Sequence, residues 1–423
     1  NPTGLSQPLD FLPDAIYAPG CDDRGDTTDA LLDEARAAAE QAEVAVVFAG
    51  LPDRYESEGF DRDNMKMPEG HLLMIEAVVS ANPNTVVVLL CGSTVECPWA
   101  DRVKAVLYMG LPGQAGGEAI AELLYGRANP SGKLSESWPY TYEDVPSSEI
   151  YGKTTDALYQ EGVYVGYRYY DKAGVPVRWP FGYGLSYTTF AYSDLTVEGD
   201  SVSVTVKNTG SLAGAEVVQL YMHAPQDGLH RPLRELKGLR KVFLQPGESQ
   251  TVTFPLTDRS FAVWQDGWKV PSGTYTVCIG DLTASVQKSG ETLPIPAWQG
   301  GSWYERCTGK PNHADWEAML GRHYEPPVLK KGSFTMDNTV MEMKDHSLIM
   351  KIMFKAVEAT IAKGFGGKKD YENPEFRMLM NSSAGSPLRS MMISGGMKGG
   401  VLPGMLEMAN GHFFRGIRKM ITG

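Results

Sequence analysis

The densest run of reactive side chains is Gly50-Leu-Pro-Asp-Arg-Tyr-Glu-Ser-Glu-Gly-Phe-Asp-Arg62. It sets Glu56, Glu58 and Asp61 beside Arg54 and Arg62. A carboxyl group that protonates a leaving group needs a tuned pKa. Arginine can hold or orient such a carboxylate, and Gly59 lets the backbone turn sharply. General acid/base chemistry is one reading; a solvated charged loop is the other, because short acidic loops are common. In an extended stretch Glu56 and Glu58 share a face, so spacing alone does not choose between them.

The elements that must position this loop read as α/β over residues 1–190. Thr28–Gln41 has apolar positions at helical spacing, and Glu43–Gly50 (EVAVVFAG) follows as a buried strand. The loop therefore leaves the end of a strand, where open α/β sheets bind ligands. Pro68–Ala81 reads as a helix entered through Pro68. Thr85–Leu90 (TVVVLL) and Val103–Met109 read as strands, and Gly116–Leu124 as a helix stopped by Gly126. Alternating helices and near-continuous apolar strands predict a parallel sheet covered on both faces.

Near residue 190 the period shortens to two. Asp194–Val197, Ser201–Lys207, Ala215–Ala224, Ser249–Leu256, Gly273–Gly280 and Ala284–Val286 are separated by turn signals such as Asn208-Thr-Gly and Pro246-Gly-Glu. They predict a β-sandwich over 191–290. A third composition covers 291–423, where residues 319–420 hold 14 of the 19 methionines. Helices are expected at Asp345–Ala362 and Leu402–Met408. A loosely specified helical layer against a partner surface is the preferred reading over a methionine-lined groove. The chain is thus multidomain: an α/β domain with the acidic loop, a β-sandwich, and a Met-rich, partly helical extension.

The formal net charge of -12 disfavours nucleic acid and anionic lipid as partners, whereas a neutral sugar is indifferent to it. No 18-residue apolar run predicts a membrane span. The five cysteines lack zinc-ligand clustering and read as reduced thiols. With no signal-peptide pattern in NPTGLSQPLD, a cytoplasmic location is expected. The missing initiator Met leads us to expect sequence before Asn1. The seven histidines show no metal-ligand spacing, and His412 beside Phe413 reads as packing. Gly110–Gly117 lacks the Lys-Ser/Thr ending of a phosphate loop. Trp99, Trp138, Tyr164, Tyr169, Tyr170, Trp179 and Tyr183 are of the type that stacks on sugars, although aromatics at domain interfaces are mostly structural.

Several phrases, in order, resemble glycoside hydrolase family 3, the β-glucosidase and β-xylosidase family. They are the loop phrase "ESEGFDR", then "VVVLLCGSTVECPW" (86–99), "GLPGQAGGEAIAELLYGRANPSGKLSESWP" (110–139), "YQEGVYVGYRYYD" (159–171) and "WPFGYGLSYTTF" (179–190). "VKNTGSLAGAEVVQLYMHAP" (206–225), "RPLRELKGLRKVFLQPGES" (231–249) and "GTYTVCIGD" (273–281) resemble the family's fibronectin type III-like domain. The tail phrase at 380–416 is similar to C-terminal extensions of some bacterial members.

The resemblance implies retaining hydrolysis of terminal non-reducing β-D-glucosyl residues, without cofactor or metal. Matched to the family loop, Glu58 is the general acid/base, with Glu56 as the alternative. Asp61 and Arg62, with the turn at Gly59, are expected to fix the loop. Phe60 reads as a loop anchor, and Arg54, Tyr55 and Phe60 are candidate substrate contacts. The family's nucleophile is an Asp on a (β/α)8 barrel, and no barrel rhythm is present here. A barrel domain or chain is therefore the expected partner, and the substrate is a β-linked glucoside or oligosaccharide. The rival readings are a β-xylosidase, a transglycosylase, a β-N-acetylglucosaminidase, or a non-catalytic sugar-binding or assembly module.

Overall fold

The computed structural model describes residues 3–153, 156–394 and 399–422. Positions 395–398 of the tail phrase and Asn1 lie outside the described residues. Contacts divide the chain into two compact units that interleave in sequence. One holds Asn1–Tyr17, Ser93–Arg102 and Leu107–Tyr324; the other holds Ala18–Gly92, Val103–Val106 and Glu325–Gly423.

The second unit contains the acidic loop and its supports. Helix α1 (Asp29–Gln41) starts where the Thr28 side chain accepts from the Leu31 amide, satisfying a donor that the first turn leaves unpaired. Its buried residues Leu32, Ala35 and Ala39 recur at helical spacing. Strand β1 (Ala45–Gly50) pairs in parallel with β2 (Thr85–Leu90), from Ala45 opposite Thr85 to Gly50 opposite Leu90. Helix α2 (Glu69–Ala81) connects them, with Pro68 as its N-cap rather than inside the first turn. Buried Asn82 fastens the junction: its amide donates to the Ala39 and Ala42 carbonyls at 3.0 and 2.8 Å, and its oxygen accepts from the Asn84 amide at 2.8 Å. Strand β3 (Ala105–Tyr108) completes a sheet of order β1-β2-β3.

The helical region of this unit comprises α4 (Val340–Met343), α5 (Leu348–Gly364), α6 (Pro374–Ala384), α7 (Leu388–Ser394), α8 (Val401–Ala409) and α9 (Phe413–Thr422), following α3 (Gly116–Leu124) of the first unit. Met343, Met350, Met353, Met380 and Met391 are buried together with Phe376, Leu388 and Leu402. These five methionines thus pack into an internal core, where unbranched thioethers fill irregular gaps between short helices. His412 is exposed and bonds to Glu407 at 3.1 Å, so it is not a packing residue.

In the first unit, α3 spans the expected residues. The sandwich consists of β4 (Phe190–Glu198), β5 (Ser201–Asn208), β6 (Gly214–His223), β7 (Arg234–Leu244), β8 (Ser249–Pro255), β9 (Gly273–Ile279) and β10 (Leu282–Lys288). These form sheets of order β8-β5-β4 and β10-β9-β6-β7. Val202, Val204 and Val206 of β5 alternate into a core shared with Val218, Leu220, Phe254, Tyr275 and Val277, as period-two patterning requires. Strand β7 escaped the sequence reading. Its charged residues give it no clean alternation, and only Val242 and Leu244 are fully buried. Among the described residues no helix is long and apolar enough to cross a membrane.

Trp99, Trp138, Tyr164, Tyr169 and Tyr170 are buried, which removes them as sugar platforms; Tyr183 is exposed. His230 lies among Tyr164, Trp298 and Tyr304, with ring centroids 5.3, 4.9 and 5.6 Å away. Burial, and secondarily the Lys172 charge, push its pKa down to about 4. The unfolded chain therefore binds a proton that the folded chain refuses. This stability is complete above the unfolded value near 6.5 and is lost as pH falls from there towards about 4. Replacing His230→Phe should flatten the fall in Tm over that window, removing a term on the order of 3 kcal/mol at most. An unchanged Tm-against-pH slope would show that His230 is not neutral in the fold.

Candidate active site

The acidic loop begins where β1 ends, and the strand end is fixed by close approach. A Cβ on Gly50 would stand 1.8 Å from the Leu90 carbonyl oxygen, so only glycine fits. The His71 ring of α2 meets this point, with Nδ1 3.0 Å from the Gly50 oxygen and 3.2 Å from its nitrogen. One tautomer donates to the oxygen and the other accepts from the amide. Burial lowers the His71 pKa, opposed by the Gly50 bond and the Asp22 charge.

Beyond the strand, Arg54 pairs with Asp26 at 3.0 Å and lies over the Tyr55 ring at 5.2 Å. The Glu56 carboxylate accepts the Gly92 amide at 2.7 Å, a charge-assisted bond that ties the loop to the segment following β2. The next four residues form a tight turn: Ser57 and Phe60 are bridged antiparallel, and Gly59 between them has φ +90. A positive φ at the third position is what a type II turn demands, and glycine adopts it without strain. Met65, Met67 and Pro68 are buried and return the chain to α2.

This geometry separates the two glutamates that spacing alone could not. The stretch is not extended: Glu56 is half-buried and bonded to backbone, whereas Glu58 occupies the exposed corner of the turn. Among the described residues nothing hydrogen-bonds or ion-pairs with the Glu58 carboxyl, which leaves it available to an incoming group. Phe60 is half-buried, with the Arg377 guanidinium 4.0 Å over its ring. Arg62 is half-buried. Asp61 is exposed and, among the described residues, makes no bond that fixes the loop; Arg54, Glu56 and Phe60 make the contacts expected of it. The sequence reading missed His71, Asp26, Gly92 and Arg377. Nothing in local spacing singled out Asp26, and nothing in the tail composition singled out Arg377.

An α/β sheet with an acidic turn at its strand end, accompanied by a β-sandwich, has clear counterparts. Residues 1–167 match the glycosyl hydrolase family 3 C-terminal domain, and residues 216–283 match the fibronectin type III-like domain. The chain carries these two domains of glycosyl hydrolase family 3. Thermostable beta-glucosidase B of Acetivibrio thermocellus is 50% identical over 262 residues, covering 59% of this chain and 35% of that protein. Exo-alpha-(1->6)-L-arabinopyranosidase of Bifidobacterium breve is 41% identical over 392 residues, covering 87% of this chain and 50% of that protein. The crystal structure of the Bifidobacterium adolescentis GH3 beta-glucosidase aligns with TM-score 0.66 at 40% identity, over 73% of this chain and 49% of that one. The chain thus spans about a third to a half of these relatives.

The Glu56 tether has its own test. Glu56→Ala removes the bond to the exposed Gly92 amide and should cost about 0.5–1.5 kcal/mol of stability, read by chemical denaturation of the chain. A loss below about 0.5 kcal/mol would mean that water replaces the carboxylate without penalty.

Proposed function

We propose that this chain supplies the acid/base side of a retaining glycosidase acting on terminal β-D-glucosyl residues, with Glu58 as the general acid/base. The observation that carries this reading is the division between the two carboxylates: Glu56 is bonded to the Gly92 amide, and Glu58 stands exposed on a constrained turn. The two family 3 domains and the β-glucosidases among the relatives support it. The sequential division into 1–190, 191–290 and 291–423 is part of the same proposal, as is a (β/α)8 barrel, in this polypeptide or another, that holds the nucleophilic Asp.

In this mechanism the barrel Asp attacks the anomeric carbon as Glu58 protonates the departing oxygen. A glycosyl-enzyme forms. Glu58, now ionised, takes a proton from water, which attacks the anomeric carbon and releases the sugar with its configuration retained. The two carboxyl groups would stand about 5–5.5 Å apart across the sugar. None of these steps draws on a cofactor.

A second reading comes from the Bifidobacterium breve arabinopyranosidase, whose alignment covers 87% of this chain and so reaches into the helical region. An α-L-arabinopyranoside presents an equatorial leaving group, as a β-D-glucoside does, and needs the same acid. Parallel assays of aryl β-D-glucosides, β-D-xylosides and α-L-arabinopyranosides separate these readings.

Two outcomes test the proposal. The chain purified alone should hydrolyse no aryl β-glucoside above background; turnover that Glu58→Ala abolishes would overturn the need for a barrel. In the complete enzyme, Glu58→Ala should impair glycosylation by poor leaving groups far more than by dinitrophenolate, which needs little protonation. Deglycosylation should remain slow until azide, which needs no base, restores turnover as the β-glycosyl azide. Glu56→Ala should show neither effect. Rescue of Glu56→Ala with parental behaviour in Glu58→Ala would move the assignment by two residues.

A further inference from the structure

Helix α6 comes from the far end of the chain, yet it covers the turn that carries Glu58. A Cβ built on Gly59 would lie 3.2 Å from the Met378 carbonyl oxygen, 3.2 Å from the Ser382 hydroxyl and 3.3 Å from Met378 Cγ. The next residue, Phe60, has the Arg377 guanidinium 4.0 Å over its ring. Thus the corner of the turn and its closing residue both meet one helix.

That helix is itself firmly placed. Asn373 caps it by accepting the Phe376 amide, and Pro374 occupies the first turn, where its missing N–H costs nothing. Phe376, Met380 and Ala384 recur every four residues and are fully buried in the helical core. Met378 and Ser382, also four apart, lie on the opposite side of the helix and reach Gly59. One face of α6 is therefore anchored and the other meets the turn.

We propose that α6 is a brace for the acid/base turn and that Arg377 is its positioning residue. The inference rests on Glu58 being the acid/base. Proton transfer requires the carboxyl within about 2.6–3.2 Å of the leaving oxygen. The Glu56 bond to Gly92 secures the turn only on the side of the chain entering it. On the exit side, the cation over the Phe60 ring and the packing against Gly59 stop the corner from rocking. Losing that restraint should harm proton donation specifically, because nothing else in the reaction depends on where Glu58 points before the leaving group departs.

The test uses the complete enzyme and a series of aryl glycosides of rising leaving-group pKa. It compares the parent, Arg377→Ala, Arg377→Lys, Phe60→Leu and the Arg377→Ala/Phe60→Leu double variant. kcat/KM reports the glycosylation step. Arg377→Ala should lower it roughly three- to fivefold for the poorest leaving groups, the factor that a partly exposed cation–π contact can account for. With dinitrophenyl glycosides the change should stay under about twofold, giving a steeper leaving-group slope. Arg377→Lys should recover most of the loss, since an ammonium also binds the ring face. Phe60→Leu should reproduce the slope, and the double variant should be no worse than either single one.

A uniform loss across all leaving groups would mark simple structural damage and overturn the brace. So would a parental slope, or losses that add. Azide treatment of Glu58→Ala in the same preparation separates this from failure of the underlying assignment. Rescue with an unchanged Arg377→Ala slope sinks the brace alone; no rescue sinks the acid/base reading and the brace with it.

Discussion

The Glu56 carboxylate accepts the Gly92 amide, and with that one bond the loop leaving β1 is stitched to the segment leaving β2. The bond can form because the strands are in strict parallel register up to Gly50 opposite Leu90, where a side chain would collide with the Leu90 carbonyl. Upstream, Asn82 fixes the start of β2 against the end of α1, so the register is held at both ends of the pair. The sheet thereby determines where the Ser57–Phe60 turn begins. The consequence for chemistry is a division of roles: the glutamate bonded to backbone is committed to structure, and the glutamate two residues later is left exposed.

Much of this frame was legible because it obeys a period. The TVVVLL strand lies where its apolar run put it, as does α3, and the alternating valines of β5 face the core. What failed to show is just as physical. Strand β7 reads as a charged stretch because its ladder with β6 is satisfied by backbone, leaving many of its side chains partly or fully exposed. The different surroundings of Glu56 and Glu58 turn on backbone shape. Period-two reasoning assumes extension, and the bend at Glu56 leading into the Glu58–Gly59 turn breaks it. The methionines were visible as a composition, but their mutual packing depends on tertiary contacts that composition does not encode. Arg377 was the least legible residue, since neither its spacing nor its neighbours in sequence mention Phe60.

The first unit organises its polar groups by a different logic. His230 is kept neutral in an aromatic cluster, where burial, with the Lys172 charge second, lowers its pKa. Arg231, its neighbour, is buried with its guanidinium on the Tyr275 hydroxyl at 3.1 Å and paired with Asp227. A buried charge is tolerated only with such partners, and Tyr275 in turn donates to the Pro271 carbonyl at 3.1 Å. Arg231, Asp227 and Tyr275 are tied to one another. None is presented outward as Glu58 is, which argues that their role is to hold the sandwich and its flanking aromatics in place.

Loops carry function because they are free of the ladder, and for the same reason they are poor at holding an atom still. A proton donor tolerates little of that freedom: positions must hold to about 0.5 Å. The loop here reconciles these demands by spending very few residues on the exposed part. Arg54 and Glu56 are bonded on the way in, Phe60 is covered on the way out, and Met65 and Met67 are buried soon after. Only Glu58 and Gly59 span the corner of the bridge, and glycine there adopts its φ without strain. The mobility left to the carboxyl is then mainly that of its own side-chain torsions. For the acid/base role proposed for Glu58, that is enough to follow a proton from a leaving oxygen to a water molecule, and too little to let the turn drift away from either.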